Sequence, residues 1–303
     1  MQSYTPVYTS AFKIGQFKTL KKELRKRLLN CKLCPRNCGI NRMNDEKGVC
    51  NTGKFAMVSS ASPHFGEEPP LVGQNGSGTV FFTNCNLLCS FCQNHDISHN
   101  ADGVEIRDDD LADLMIRLQE MGCHNINLVT PSHVVPQIIT ALEKAIRRGL
   151  SIPLVYNTSC YDNIETLKFL DGIIDIYMPD LKFFSAEIAR KTCNALNYPD
   201  VARKAVIEMH RQVGNLIFNK RGIAQKGLLI RHLVMPGQLN DTREIIKFIV
   251  NEISPLTHVN IMPQYRPFGN LDHFPEFNRR LTNDEYEEAM NIAKDEGLVN
   301  LFL

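Results

Sequence analysis

Three cysteines, Cys85, Cys89 and Cys92, stand in the stretch TNCNLLCSFCQN at residues 83–94 with the spacing C-x3-C-x2-C. Three thiolates from one short loop can hold three irons of a [4Fe–4S] cluster and leave the fourth open to a small molecule, whereas ferredoxin-type clusters are closed by four cysteines. An open coordination position marks catalytic metal sites more than structural ones. A closed metal site, or three unrelated buried thiols, could carry the same spacing. A second group, Cys31, Cys34, Cys38 and Cys50, follows C-x2-C-x3-C-x11-C. Four soft ligands suit a structural zinc knuckle or an auxiliary [4Fe–4S] cluster, and spacing does not separate the two. A knuckle without metal is the third reading. Cys123, Cys160 and Cys193 are isolated and read as small buried hydrophobes.

The elements around these residues have a definite rhythm. Residues 79–83, TVFFT, form an apolar run just before the cysteine loop and read as a strand. Further strands are expected at 125–130, 152–156, 173–178, 228–234 and 258–262. Helices are expected at 108–121, 132–148 with Ser132 as cap, 163–170, 199–213, 241–251 and 282–295, the last with the capping signature TNDE at 282–285. Short apolar strands alternating with amphipathic helices imply a parallel sheet. A complete eight-stranded barrel takes about 250 residues, and about 225 follow Ser77. The expected fold is therefore α/β, a partial (β/α)6 TIM-like barrel at 78–303. Residues 1–77 precede it as a cysteine-rich extension, comprising a helix at 17–29, the four-cysteine knuckle and a Pro- and Gly-rich connector lying over a surface. The cysteine loop falls at the carboxyl end of the first barrel strand, where sites of such folds lie.

Bulk properties narrow the classes. The 303 residues are 43% hydrophobic with a net charge of +1, which argues against an electrostatic nucleic-acid footprint. The basic run at 18–27 reads as a solvated helix face. No apolar stretch reaches the length of a membrane span, and the first residues, MQSYTP, carry no apolar signal core. Ten cysteines, seven of them in two tight local groups, then point to metal binding in a reducing cytoplasm, not to disulfides.

At the end of the fourth strand, DIYMPDLK at 175–182 places Asp180 and Lys182 on one side of an extended segment. A carboxylate suits an ammonium, and an ammonium suits a carboxylate. A surface ion pair is the plainer alternative.

The cysteine loop after its strand resembles the signature of the radical S-adenosylmethionine (SAM) superfamily. That resemblance implies a [4Fe–4S] cluster whose open iron is chelated by SAM. One electron then cleaves SAM to methionine and a 5′-deoxyadenosyl radical that takes a hydrogen from a substrate. More narrowly, D-L-K at 180–182 resembles the SAM-contacting D-x-K of the pyruvate formate-lyase activating enzyme family. IRHLVMPG at 230–237 is similar to its I-R-x-x-V-x-P-G, bringing in Arg231. Asn157-Thr158-Ser159 stands where that family has Asp-Thr-Asn at a small cation site, with asparagine in place of the aspartate. Tyr265 stands where the family has a histidine. The family's Gly-Gly-Glu-Pro, which receives the SAM amino group, is here NLVTPSH at 127–133. Thr130, Ser132 and His133 are candidates for equivalent contacts, with a helix cap or a core position as the alternative for His133. The backbone around Phe91 is expected to pack the adenine. The N-terminal CKLCPRNCG, NLVTPSH and MPQYRP together resemble the group labelled PflX. The resemblance further implies a reductant such as flavodoxin or ferredoxin. Its substrate is a glycyl-radical protein or, alternatively, a peptide, RNA or small metabolite. A non-catalytic iron–sulfur carrier is the competing class, and it calls for a fourth cysteine near the loop.

Overall fold

A computed structural model describes residues 4–268 and 274–302 of the chain. Its strands are β1 (Ala56–His64), β2 (Ser77–Phe82), β3 (Val104–Ile106), β4 (Ile126–Val129), β5 (Leu154–Thr158), β6 (Ile176–Pro179), β7 (Ile217–Phe218), β8 (Ala224–Leu233), β9 (His258–Met262) and β10 (Asn300–Phe302). They run β10-β9-β8-β6-β5-β4-β2-β1-β3 across one sheet, with β7 paired to β8. The six neighbours β2, β4, β5, β6, β8 and β9 are all parallel. They are the six strands expected from the sequence. In β4, β5 and β6 every residue is buried, as strands covered on both faces must be. The fold is thus α/β with a partial barrel that does not close. A short parallel strand, β10, extends one edge. On the other edge β1 runs antiparallel to β2, and β3 antiparallel to β1.

The helices are α1 (Tyr8–Lys13), α2 (Gln16–Leu29), α3 (Pro69–Val72), α4 (His95–Ser98), α5 (Asp108–Glu120), α6 (Val135–Arg147), α7 (Ile164–Leu167), α8 (Ala186–Cys193), α9 (Tyr198–Val213), α10 (Leu239–Phe248) and α11 (Asn283–Asp295). On α2 the residues Phe17, Leu20, Leu24 and Leu28 form one buried stripe, which leaves the basic run on the solvated side. The α11 capping box is present: the Glu285 amide donates to the Thr282 hydroxyl at 3.2 Å, and the Thr282 amide donates to the Glu285 carboxylate at 3.0 Å. The α6 start differs from the sequence reading. Its cap position is Val134, and the Ser132 hydroxyl bonds instead to the Thr158 hydroxyl at 3.1 Å. A hydroxyl next to a strand end found a better partner across the sheet than on its own helix.

The first 77 residues share the core of the rest. Tyr8, Phe17 and Leu24 lie in the same continuous apolar cluster as Val80 and Ile230. The Tyr4 hydroxyl and the Val7 amide both donate to the Asp175 carboxylate, at 2.6 and 2.9 Å. The segment expected to lie over a surface goes inward instead. Phe65 is exposed, but Leu71 is fully buried and packs against Val155, Ile176, Met178 and Leu229 inside the barrel. Burying one leucine is worth about 1.5–3 kcal/mol. That anchor holds Glu67 and Glu68 just above it, in the middle of the barrel.

Candidate active site

The inward-facing residues of the parallel strands alternate along each strand, so their carboxyl ends deliver one ring of side chains to a common mouth. There they border a cavity of about 350 Å³. One wall is the cysteine loop after β2, with Cys85, Cys89, Phe91 and Cys92. Thr130 follows β4, Asn157 and Thr158 end β5, and Asp180 and Lys182 follow β6. Arg231 comes from β8. Nearly all the candidate cofactor contacts therefore meet in one place.

The cysteine loop is bent by two residues in the left-handed region, Asn84 at φ 72° and Leu88 at φ 57°. Such a conformation costs a leucine about 1–2 kcal/mol. The Leu87 amide donates to Cys85 Sγ at 3.3 Å, and the Ser98 hydroxyl to Cys92 Sγ at 3.2 Å. The Cys89 thiol has Cys193 as a neighbour. Phe91 is wedged against Phe183 and Tyr265, at ring-centroid distances of 5.9 and 5.7 Å. Burial pushes the Cys85 thiol up to about 12. Burial and the neighbouring Cys89 raise Cys92, while the contact with Cys193 and burial raise Cys89. All three are neutral thiols near neutral pH, and a bound cation is what would draw off their protons.

Among the described residues, no three His, Cys, Asp or Glu side chains are gathered tightly enough for a single metal ion. A [4Fe–4S] cluster asks for something looser, because each thiolate binds a different iron. Three soft sulfur donors on one wall of a cavity fit that demand.

The opposite wall is a charged network. Lys182 Nζ donates to Asp180 Oδ2 at 2.8 Å, and Arg231 Nε to Asp180 Oδ1 at 2.7 Å. Arg231 also donates to Glu67 Oε2 at 3.1 Å and to Asn157 Oδ1 at 2.9 Å. Asn157 Nδ2 donates to Glu67 Oε1 at 3.3 Å. Burial opposes the charge of Asp180, but Arg231 and Lys182 outweigh it and hold the carboxyl below its ordinary range. Lys182 is held above its ordinary value by Asp180 and Cys89, against the effect of burial. The Asp180 and Lys182 side chains are 17% and 13% exposed, so this is not a surface ion pair.

Two sequence candidates stand elsewhere. His133 does not reach the cavity. It is buried, its Nε2 lies 3.1 Å from the Thr83 carbonyl, and Arg42 donates to its own carbonyl at 2.6 Å. Burial, with Arg42 nearby, pushes it down to about 3, as fits a neutral core histidine. Of the NLVTPSH segment, Val129 and Thr130 border the cavity. Thr130 stands at φ 60°, an expensive conformation for a β-branched residue, and its backbone N–H donates to the Asn157 carbonyl at 2.9 Å. Cys193, read as isolated, is the neighbour of Cys89. Glu67 borders the cavity and was not a candidate at all. The available signal was a pair of adjacent carboxylates before Pro69-Pro70 in a connector whose one other charged residue is Lys54.

The four N-terminal cysteines lie apart from the cavity. Cys31, Cys34 and Cys50 are buried and near one another, and burial pushes Cys34 up to about 12. Between them and the cysteine loop stands Arg36. Its guanidinium donates to the carbonyls of Asn86, Leu87, Cys193 and Asn194 at 2.9, 3.1, 2.8 and 2.6 Å.

The sequence profile described as the radical SAM superfamily matches residues 79–249. The chain belongs to the radical SAM superfamily. It is also 31% identical to an uncharacterised protein of Methanocaldococcus jannaschii over 288 residues, which is 92% of this chain and 79% of that protein. Membership in a superfamily of SAM-cleaving enzymes makes the protein an enzyme with a [4Fe–4S] cluster and SAM as cofactors. Among the described residues, no helix is long and apolar enough to cross a membrane.

Proposed function

We propose that this radical SAM enzyme works at the mouth of the partial barrel, with Cys85, Cys89 and Cys92 as cluster ligands and Asp180 and Lys182 as the grip on the methionine end of SAM. When bound, the cluster supplies the electron for reductive cleavage of SAM, and the resulting adenosyl radical takes a hydrogen from a substrate. The protein's part is to bind, orient and exclude water. Lys182 receives the SAM carboxylate. Arg231 fixes Asp180 so that its charge faces the cavity. The backbone at Phe91, braced by Phe183 and Tyr265, packs the adenine. The observation that carries this reading is that the three cysteines and the Asp180–Lys182 pair border one cavity.

The resemblance to the pyruvate formate-lyase activating enzymes and the PflX group makes a glycyl-radical protein the first substrate to test, ahead of a peptide, RNA or metabolite. A flavodoxin or ferredoxin in the cytoplasm serves as reductant. A second metal, zinc or an auxiliary cluster, belongs on Cys31, Cys34, Cys38 and Cys50, and zinc there would draw the four thiols closer together than they stand among the described residues. One observation favours the electron-carrier reading: Cys193 is a fourth cysteine beside the loop. It is not among the residues bordering the cavity, and a carrier has no task for the charged wall. The deciding experiment incubates anaerobically reconstituted protein with SAM and a one-electron reductant. Formation of 5′-deoxyadenosine, abolished in Cys89→Ala, supports the enzyme. A stable, reducible cluster that never yields 5′-deoxyadenosine supports the carrier.

A further inference from the structure

The three cysteines of the loop differ in what reaches their sulfurs. Cys85 Sγ accepts from the Leu87 main-chain N–H at 3.3 Å. Cys92 Sγ has a side-chain donor, the Ser98 hydroxyl at 3.2 Å. Ser98 ends α4, is buried and borders the cavity. Its oxygen also lies 2.7 Å from His99 Nδ1, while the His95 carbonyl is farther off at 3.5 Å. The His99 ring in turn stacks flat on His95, with centroids 4.3 Å apart and planes 5° from parallel. A chain of contacts therefore runs from a half-buried histidine pair, through one hydroxyl, to one cysteine sulfur.

A serine hydroxyl has a single hydrogen to give. Here it can go to Cys92 or to His99. Burial and the stacked His95 hold His99 below its ordinary value, so the ring is neutral and carries one hydrogen. The Leu88 main chain is the ring's other partner. With the hydrogen on Nδ1, His99 donates to Ser98, and the Ser98 hydrogen is free for the sulfur. With it on the other nitrogen, Ser98 donates to His99 and the sulfur loses its donor. A cluster-bound cysteine is a thiolate, and a charged acceptor makes the stronger bond. That preference selects the first arrangement. The geometry points to Ser98, oriented by His99, as the residue that sets the reduction potential of the cluster. Hydrogen bonds to ligand sulfurs are among the factors that fix such potentials. A donor stabilises the added negative charge of the reduced state, so Ser98 makes the cluster easier to reduce. His99 is a positioning residue that acts through it.

This inference rests on the trio holding a [4Fe–4S] cluster, and its test separates the two. Reconstituted wild-type protein and its Ser98→Ala, Ser98→Thr, His99→Phe and Ser98→Ala/His99→Phe variants are titrated with a one-electron reductant against potential. Ser98→Ala should disfavour reduction about tenfold, as expected for loss of a bond to a charged group, which is about 59 mV for one electron. Ser98→Thr keeps the hydroxyl and should stay near wild type. His99→Phe keeps a flat ring on His95 without the nitrogen, and should shift the potential the same way by less. The double variant should go no further than Ser98→Ala, because both residues act through one hydroxyl. The potential is read only from protein that carries a cluster, so loss of folded protein does not move it. An unchanged potential in Ser98→Ala overturns the inference, and so does a double variant in which the two shifts add in full. If Ser98→Ala cannot be loaded with iron, His99→Phe decides: a negative shift supports the inference and an unchanged potential overturns it. A wild-type protein that assembles no reducible cluster would instead overturn the reading beneath.

Discussion

The two cysteine groups of this chain look alike in sequence and differ in placement. The quartet Cys31, Cys34, Cys38 and Cys50 lies away from the cavity, on the far side of Arg36, and is not drawn together tightly enough for one metal ion. Cys85, Cys89 and Cys92 are a trio whose sulfurs border an open cavity facing a wall of fixed charge. A closed set of four can do little but hold structure, whereas a set of three beside a polar cavity leaves room for a reactant. The wall is assembled before any cofactor arrives: Asp180, Lys182, Arg231 and Glu67 already bond one another. The trio differs, because burial and neighbouring thiols raise all three cysteines, so each keeps its proton until a cation binds. The charged half of the site is built by protein alone, and the sulfur half is completed by its metal.

The largest expected effect separates the groups outright. A Cys85/Cys89/Cys92→Ala triple variant should lose all SAM-responsive iron while retaining near-stoichiometric zinc or iron on the quartet. Metal analysis that finds the triple variant devoid of metal would remove the quartet as a site. Next is the tie between the groups. Arg36→Ala strips four carbonyls of their donor and should cost about 2 kcal/mol in a denaturant titration, with faster loss of iron from the trio. An unchanged midpoint would mean the two groups are mechanically independent. Asp180→Ala should weaken SAM binding by about tenfold or more, roughly 1.4 kcal/mol, with iron content near wild type because the cysteine loop follows a different strand. Unaltered affinity in both Asp180→Ala and Lys182→Ala would reduce the wall to a structural ion pair. The smallest effect belongs to Cys123→Ala, outside both groups: a loss of under about 1 kcal/mol and no change in metal content. A fall in iron there would blur the distinction drawn above.

Much of this was legible because it is local. The six parallel strands announce themselves as short apolar runs, and the trio and the Asp180–Lys182 pair each lie within a few residues on one element. What sequence did not disclose depends on distant partners. Glu67 and Arg231 meet across 164 positions. The connector holding Glu67 has no periodicity, and its Pro and Gly content suggests an exposed linker, although Leu71 draws it inside. Short strands such as β3 and β10 are made by pairing to an existing edge, not by their own three residues. Ser132 has the residue type of a helix cap, yet Thr158, 26 positions away, claims it.

The central claim is that the trio holds a cluster with an iron open to SAM. The most direct measurement is the low-temperature electron paramagnetic resonance spectrum of the reduced, reconstituted protein, recorded with and without SAM. A [4Fe–4S] signal that changes on adding SAM, and does not change in Cys89→Ala, is the predicted result. A reduced cluster in the wild-type protein whose spectrum is identical with and without SAM would contradict it.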